Sequence, residues 1–264
     1  MKLVITIVVV GLFLFLLSRV LLMPKLPDEL TLGYSQEAPY SYLDESAELK
    51  GIFVTAAHDI TEELQVDNVH WLLHDFFQLF TSLKGKRIDV IAAGITITPQ
   101  RAASLCFTEP LLQARSALLV LADAATAAGI TKDPQHKIAV LADSIEHKLF
   151  AEQGYSLVLV SSVREGAEAI LQKKALALAL TEPAIVRLMQ RYPEQFKLAL
   201  APGMPVFEHY SAFAFHPDNA SLVEQWNRAQ RQLQQQAEFK AEVEAQGFIV
   251  PQFSHTITDD CYAV

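Results

Sequence analysis

The sequence predicts an α/β fold in which parallel strands alternate with helices, and two observations support this class. From Leu30 onward, short apolar runs alternate with amphipathic helical stretches. Strands and helices that alternate at this spacing form parallel sheets with helical crossovers. Apolar residues also make up 51% of the 264 residues and charged residues 19%, so the chain has ample material for a buried core and is not expected to be disordered.

The individual elements follow from apolar periodicity. Short apolar runs predict strands at 30–34, 69–73, 88–92, 116–121, 137–141, 157–160 and 176–180. Helical periodicity predicts helices at 52–64, 76–83, from Thr98 onward, 145–153, 163–173 and 183–191. A region rich in Gln, Glu, Ala and Arg at 219–247 predicts two C-terminal helices, and no repeat-protein period is present.

The N-terminus is an apolar segment that reaches from Leu3 to Met23, interrupted at Ser18-Arg19. A signal peptide has an apolar core of about 7–15 residues and a small-residue cleavage site, whereas a spanning helix needs about 20 apolar residues. No such cleavage pattern follows, and no nearby cysteine could accept a lipid. We therefore favour an uncleaved anchor over a removed signal peptide, and both alternatives remain open.

Composition excludes several classes of protein. The net charge of −9, with no long run of Lys or Arg, disfavours nucleic-acid binding. The histidines match no metal spacing, and there is neither a nucleophile turn nor a phosphate-binding glycine loop. We expect Cys106 and Cys261 to be two unrelated thiols. A disulfide between them stays open, because sequence does not set their distance.

The strongest candidate site lies where the third predicted strand meets the next helix. Open parallel sheets bind ligands in the crevice beyond the carboxyl ends of their strands. Thr98 is a good N-cap and Pro99 suits the first helical position, which puts Arg101 in the first turn. A cation there opposes the helix dipole, but a guanidinium can hold a carboxylate with two hydrogen bonds. From its position alone, Arg101 could either bind a carboxylate, with Gly94 and Thr96 adding contacts, or form a surface ion pair with a nearby acid.

Two further junctions between a strand and a helix follow. Asp143 or Ser144 caps the helix at 145–153, and Asp143 with Glu146 fits a capping box. The free amides at that helix start could instead bind an anion. After the strand at 176–180, Glu182 could either complement the helix dipole or face the crevice and bind a ligand cation.

Three segments carry a family resemblance. Residues 30–64, 88–101 and 107–111 resemble the bacterial extracellular solute-binding proteins of family 3, the polar amino-acid binders of ABC importers. The resemblance covers roughly residues 30–250. It implies a two-lobed fold of the type II periplasmic-binding-protein kind, with two crossover strands near 116–122 and 205–215 as the hinge.

The resemblance also implies ligand contacts. The family arginine that matches Arg101 binds the ligand α-carboxylate, and the positions that match Gly94 and Thr96 contact the amino-acid backbone. The aromatic position that matches Tyr40 lies by the cleft, and the residue that matches Ser144 adds carboxylate contacts.

The sequence departs from the family where the ligand ammonium is usually bound. Thr181 stands at the usual acidic position, with Glu182 only adjacent, and Asp143 replaces the usual glycine. A buried ammonium needs an anionic partner. Either Glu182, Asp143 or Glu37 takes that role, or the ligand is not a standard α-amino acid.

These observations give the following organisation. We predict 1–23 as signal anchor or signal peptide, 24–29 as spacer, 30–117 as the first part of lobe 1, 118–206 as lobe 2, 207–250 as the C-terminal helices of lobe 1 and 251–264 as a tail.

The predicted function is non-enzymatic capture of a small carboxylate-bearing solute for an ABC permease or a membrane receptor. We expect a periplasmic monomer, held at the inner membrane through residues 3–23, with no cofactor, metal or nucleic acid. One alternative is a cyclohexadienyl or arogenate dehydratase in which Glu182 is the acid, because 181–182 and 190–193 weakly resemble those enzymes. The other alternative is a membrane-tethered ligand-sensing module.

Overall fold

The computed structural model describes residues 27–123, 130–199, 208–251 and 261. The predicted signal segment at 1–23 lies outside these residues. Within the described ranges, no helix combines the length and the apolar character that crossing a membrane requires.

Twelve strands and eight helices are described within these ranges. The strands are β1 (Glu29–Tyr34), β2 (Tyr42–Leu43), β3 (Leu49–Lys50), β4 (Asn68–Leu73), β5 (Val90–Thr96), β6 (Cys106–Phe107), β7 (Leu112–Leu121), β8 (Ile138–Leu141), β9 (Leu157–Val160), β10 (Ala177–Thr181), β11 (Phe196–Ala199) and β12 (Glu208–Phe215). The helices are α1 (Ile52–Glu63), α2 (Phe76–Lys84), α3 (Pro99–Ala102), α4 (Ile145–Glu152), α5 (Val163–Leu171), α6 (Glu182–Arg191), α7 (Ala220–Leu233) and α8 (Ala237–Ala245).

The sheet divides into two groups of strands, which we call lobe 1 and lobe 2. In lobe 1, β1 pairs in parallel with β4 and β5, and in lobe 2, β8 pairs in parallel with β9 and β10. Strand β7 joins the groups, because 112–115 pair with β12 and 116–121 pair with β10 and β11. The prediction of parallel sheets is therefore correct for the outer strands but wrong for β7, which runs antiparallel to β10. Strand β12, which the resemblance implies as a crossover strand, and β11, for which no strand is predicted, also run antiparallel to their neighbours.

Each lobe has its own core on both faces of its strands. In β5, Val90 and Ala92 point to one apolar cluster, and Ile91 and Ala93 point to another on the opposite face. Strands β8 and β10 of lobe 2 alternate in the same way between two further clusters. Burial on both faces explains why these strands read as continuous apolar runs in the sequence. The predicted lobe boundaries remain predictions.

Most predicted elements agree with the structure to within two residues, and two strands are longer than predicted. Strand β5 continues to Thr96 instead of ending at Ala92, and β7 begins at Leu112 instead of Ser116. Both extensions pair with β12, a non-local pairing that local apolar periodicity does not record. The extension of β5 puts Gly94 and Thr96 within a strand.

The two cysteines are joined by a disulfide, so the expectation of unrelated thiols is wrong. The Cα atoms of Cys106 and Cys261 lie 4.9 Å apart, within the usual range for a disulfide. Cys106 is fully buried in the lobe 1 core, and Cys261 packs against the same core. The cross-link therefore ties the C-terminal end of the chain to β6.

Candidate functional site

Two hydrogen bonds between the lobes are made by predicted site residues. The hydroxyl of Tyr40 in lobe 1 donates to Oγ1 of Thr181 in lobe 2 at 3.0 Å. The guanidinium of Arg101 donates through Nη2 to the carbonyl oxygen of Asp143 at 2.6 Å. Four of the predicted site residues therefore meet at one seam, although they are up to 141 positions apart in sequence.

Arg101 reaches this seam because of local capping. Thr98 is the N-cap of α3, and its hydroxyl accepts from the backbone N–H of Arg101 at 3.2 Å, as the sequence predicts. The guanidinium then turns back so that Nη1 donates to the carbonyl oxygen of Thr96 at 2.9 Å. The guanidinium carbon of Arg101, Cζ, lies 5.1 Å from the ring centroid of Phe80, within cation–π range. The side chain is held by a backbone carbonyl from each lobe and by an aromatic face.

Burial dominates the electrostatics of this guanidinium. Desolvation lowers the pKa of Arg101 to about 10, although the charges of Glu146, Asp143 and Glu37 oppose that shift. The group therefore stays a cation at neutral pH. A desolvated cation of this kind is a strong partner for a small anion, because the low local dielectric strengthens the attraction.

Gly94 and Tyr40 are in direct contact. Gly94 has a φ of +67°, and a Cβ atom there would lie 2.2 Å from Cδ1 of the Tyr40 ring. The ring is buried and also meets Phe248 edge to face, with centroids 4.8 Å apart. Burial, with the nearby charge of Glu37, raises the pKa of the Tyr40 hydroxyl, so that it remains a hydrogen-bond donor. Gly94 thus acts by giving room to Tyr40.

We expect Gly94→Ala to destabilise the fold by ~2–4 kcal/mol, because it combines a strained backbone with a clash against Tyr40. Gly154→Ala is the matched control. Gly154 has a φ of +79°, but no atom lies within 4 Å of its added Cβ. Urea unfolding of both variants separates the two effects, and equal losses of stability would show that the clash with Tyr40 is unimportant.

The second predicted junction is a helix cap made by Ser144, one of the two residues predicted for that role. Ser144 is the N-cap of α4, and its hydroxyl accepts from the backbone N–H of His147 at 3.0 Å. Asp143 has a φ of +62° and donates its N–H to Nδ1 of His147 at 3.2 Å. The predicted capping box between Asp143 and Glu146 is therefore wrong, because the Glu146 carboxylate points elsewhere.

Glu146 instead contacts side chains on β7 and β12, which are neighbours in the middle of the sheet. Ser116 on β7 donates to Oε1 of Glu146 at 2.6 Å, and Nε2 of His209 on β12 lies 2.5 Å from the same hydroxyl. All three side chains are buried. Sequence analysis missed Ser116 and His209, because they lie within strands and have no motif around them. Burial is the main cause that lowers the pKa of His209. The charge of Glu146 raises this pKa, and the charge of Arg101 lowers it.

These three groups do not form a catalytic triad. In a triad the acid and the hydroxyl contact opposite nitrogens of the imidazole ring. Here the Glu146 carboxylate and the Ser116 hydroxyl both face Nε2 of His209. A chain in which His209 donates to Ser116 and Ser116 donates to Glu146 satisfies all three groups, and it holds α4 against β7 and β12.

Glu182 forms an ion pair at the edge of the seam. Its Oε2 lies 3.0 Å from Nη2 of Arg115 on β7, and the arginine side chain is about half exposed. Glu182 lines neither of the two clefts described next. Glu182 is one of the three acids considered for binding a ligand cation, and it is paired with Arg115 instead.

Two clefts open on either side of the seam. The larger cleft, of about 1010 Å³, is lined from lobe 1 by Ser35, Glu37 and His74 and from lobe 2 by Ser161 and Arg187, among others. Sequence analysis missed Ser35 and His74. Each of them directly follows the end of a strand, which is the signal that could have identified them.

The smaller cleft, of about 730 Å³, is lined by Arg101, Asp143 and Ser144 together with neighbouring side chains. Tyr40, Gly94, Thr96 and Thr181 line neither cleft and belong to the seam between them. Within the described ranges, no group of three or more His, Cys, Asp or Glu side chains could hold a metal ion.

The family model of the bacterial extracellular solute-binding proteins, family 3, matches residues 30–245. The chain belongs to this family. The match spans both lobes. It agrees with the observed fold, which is mixed α/β and has the architecture of a periplasmic binding protein. Its place of action is therefore extracytoplasmic.

Relatives and solved structures agree with this assignment. A probable amino-acid ABC transporter periplasmic-binding protein of Sinorhizobium fredii, y4tE, is 24% identical over 232 residues, which cover 83% of this chain and 77% of the relative. A crystal structure of the substrate-binding protein of an amino acid ABC transporter aligns with a TM-score of 0.75 at 21% identity, and it covers 82% of this family-3 chain and 98% of its own.

A third similar solved structure is that of an ancestral protein. The crystal structure of AncCDT-1, an ancestral amino acid-binding protein described as a precursor of cyclohexadienyl dehydratase, aligns with a TM-score of 0.73 at 18% identity. The alignment covers 83% of this chain and 95% of that one. At this identity the likeness concerns the fold alone.

Proposed function

We propose that this family-3 protein captures a small carboxylate-bearing solute, an amino acid or a derivative of one, between its lobes and presents it to an ABC permease. The observation that carries the proposal is the position of Arg101. Its guanidinium is desolvated at the seam and is bonded only to two backbone carbonyl oxygens among the described residues. Carbonyl dipoles are weaker partners for a guanidinium than a carboxylate, which offers a full charge and a two-point geometry.

The solute would bind by replacing contacts that join the two lobes. Opening of the lobes breaks the contacts of Tyr40 with Thr181 and of Arg101 with Asp143. A solute carboxylate then takes a position on Arg101, with the backbone at Thr96 and Gly94 on one side and the α4 start at Asp143 and Ser144 on the other. These residues and Thr181 are the proposed ligand shell. Closure around the solute excludes water and strengthens the charge pairing.

The chain's location and assembly are also part of the proposal. We propose a periplasmic monomer that stays at the inner membrane through residues 3–23. A tether of this kind keeps the binding protein close to its permease, which raises the effective concentration of one for the other. The relative from Sinorhizobium fredii is named as a periplasmic-binding protein of an amino-acid ABC transporter, which supports the same partner here.

A thermal-unfolding screen of the full chain in mild detergent tests this function. The solutes are the twenty standard L-amino acids and small mono- and dicarboxylates, and the readout is the fluorescence of the tryptophans, of which Trp226 is fully buried. A solute at about a hundredfold over its Kd should stabilise the protein by ~2.7 kcal/mol. Failure of every amino acid and carboxylate to raise the Tm would overturn the proposed function.

The dehydratase alternative has less support. The acid proposed for it, Glu182, is paired with Arg115 and lines neither cleft. The likeness to AncCDT-1 still makes the assay worthwhile. We expect no turnover of prephenate or arogenate. Turnover that disappears in Glu182→Gln would reverse the order of the two candidates.

A further inference from the structure

A buried polar chain crosses from one lobe to the other at the point where β7 changes partners. Arg115 of β7 pairs with β12, and the next residue, Ser116, pairs with β10. His209 of β12 lies on the lobe 1 side of this change, because it pairs with Ala114. Glu146 lies on the other side, in α4 of lobe 2. The Ser116 hydroxyl contacts both His209 and Glu146, so these three side chains span the division between the lobes.

This chain is closed to water. The relative exposures of Ser116, Glu146 and His209 are 1%, 5% and 3%. Nε2 of His209 lies 3.6 Å from the Glu146 carboxylate, with the Ser116 hydroxyl in hydrogen-bond contact with both groups. A rotation of the lobes at this point of β7 moves β12 against α4, so it would draw His209 away from Glu146. A buried polar group that loses its partner retains the cost of its desolvation, and the intact chain therefore resists that rotation.

Four other contacts between the lobes involve no imidazole. They pair Tyr40 with Thr181, Arg101 with Asp143, Gln100 with Lys148 and Tyr42 with Arg187. Histidine is the side chain whose ordinary pKa, 6.5, lies closest to neutral pH. Of these five contacts, the buried chain is therefore the one in which an imidazole could respond to protons.

The arrangement of the chain favours a neutral imidazole. A neutral His209 with its proton on Nε2 donates to Ser116, which donates to Glu146, so that each group has a partner. A second proton on the ring would place a full charge where water does not reach. Burial accordingly lowers the pKa of His209, and the charge of Arg101 adds to this shift, although the charge of Glu146 opposes it. Protonation of His209 therefore costs more while the lobes are together than after they separate.

We propose that Ser116, Glu146 and His209 form a latch between the lobes that opens when His209 is protonated. While His209 is neutral, the latch holds β12 against α4. Once His209 takes up a proton, separation of the lobes hydrates the imidazolium, and separation becomes easier. The inference goes beyond solute capture, because the latch acts on the lobes themselves. In the proposed function, it would favour release of the solute in acid.

Other ionisable groups surround the latch. Glu146 of α4 and Arg101 of α3 face His209 directly. Glu37 and Tyr40 lie beyond them, and both respond to the charge of Glu146. Two neighbours of the latch residues along β7 and β12 pair across these strands on the exposed face of the sheet, Arg115 and Glu208. Because side chains alternate between the two faces of a strand, this pair points away from the latch.

Glu37 responds to pH in the opposite direction from His209. Burial and the charge of Glu146 raise the pKa of Glu37 to about 8, against an opposing effect of Arg101. Protonation of Glu37 therefore favours the lobes together, and its contribution is lost as pH rises from about 4.5 to 8. The contribution of a neutral His209 is instead lost as pH falls below 6.5. A test of the latch must remove the effect of Glu37.

The test measures the separation of the lobes by energy transfer between two dyes on the full chain in mild detergent. Ser46→Cys in lobe 1 and Gln172→Cys in lobe 2 carry the dyes, and both positions are exposed. The two native cysteines are joined to each other, so maleimide dyes react with the introduced ones. Every protein also carries Glu37→Gln, which removes the opposing carboxylate, and no solute is added.

We expect the transfer efficiency of this background protein to fall as pH is lowered from 7.5 to 5, with a midpoint below 6.5, because His209 becomes protonated. His209→Gln keeps an N–H donor for Ser116 but cannot gain a proton, so its efficiency should stay constant. His58→Gln makes the same change at an exposed histidine of α1 and should behave like the background. Ser116→Ala interrupts the chain and should lower the efficiency already at pH 7.5.

The outcomes decide the inference without a solute. An efficiency that does not change with pH, or that falls equally in His209→Gln, would overturn the latch. Circular dichroism at the same pH values distinguishes separation of folded lobes from unfolding, and a joint loss of both signals also counts against the latch. Because carboxylate capture is measured by the thermal screen described above, failure of the latch and failure of the proposed function are distinguishable.

Discussion

Arg101→Ala is expected to remove most of the solute-induced stabilisation of this protein. The variant removes the proposed two-point bond between the guanidinium and the solute carboxylate, and each hydrogen bond to a charged group contributes ~1.5–3 kcal/mol. Affinity should fall at least ~100-fold. At a solute concentration that stabilises wild type by ~2.7 kcal/mol, the variant should then gain only ~0.4 kcal/mol. Thermal unfolding with and without the solute measures this difference.

Two further variants make the result specific. Arg101→Lys keeps the charge but loses the planar fork, so it should recover only part of the affinity. Arg115→Ala removes another arginine of the lobe junction, one that is about half exposed and paired with Glu182 outside both clefts. An exposed pair contributes little to stability, and solute binding should be retained. Full binding by Arg101→Ala would disprove the proposed site.

Loss of the disulfide is expected to have the largest effect on the stability of the unliganded fold. The cross-link joins residues 155 positions apart. In the chain-entropy description, a loop of this length corresponds to ~5 kcal/mol of stabilisation through the unfolded state. Cys261→Ser is the cleaner variant, because Cys261 is only partly buried whereas Cys106 is fully buried in the lobe 1 core.

Urea unfolding with and without dithiothreitol provides the measurement and its control. Reduction should lower the free energy of unfolding of wild type to about that of Cys261→Ser, and it should leave the variant unchanged. Equal stability of wild type under oxidising and reducing conditions would mean that the cross-link does not constrain the unfolded chain. A structural disulfide is typical of proteins that work outside the cytoplasm, in agreement with the extracytoplasmic family.

The predictable part of the site is the part determined by local signals. Thr98 and Pro99 fix the start of α3, so the sequence alone puts Arg101 beyond the end of a buried strand. The family resemblance similarly implies that Tyr40 and Gly94 lie near the ligand, which stays a prediction. The packing of Tyr40 against Gly94, however, was not visible, because it depends on two segments more than fifty residues apart.

The sequence by itself determined the α/β class, most strands and helices, and the candidate arginine, because burial on both faces of a strand, helix periodicity and capping act over a few residues. Only the tertiary structure decided the partners of the polar groups. It paired Glu182 with Arg115, turned Glu146 from its expected cap toward Ser116 and His209, and left Ser35, Glu37 and His74 around one cleft. These outcomes depend on strand order and lobe contact, and neither is recorded in the spacing of residues along the chain.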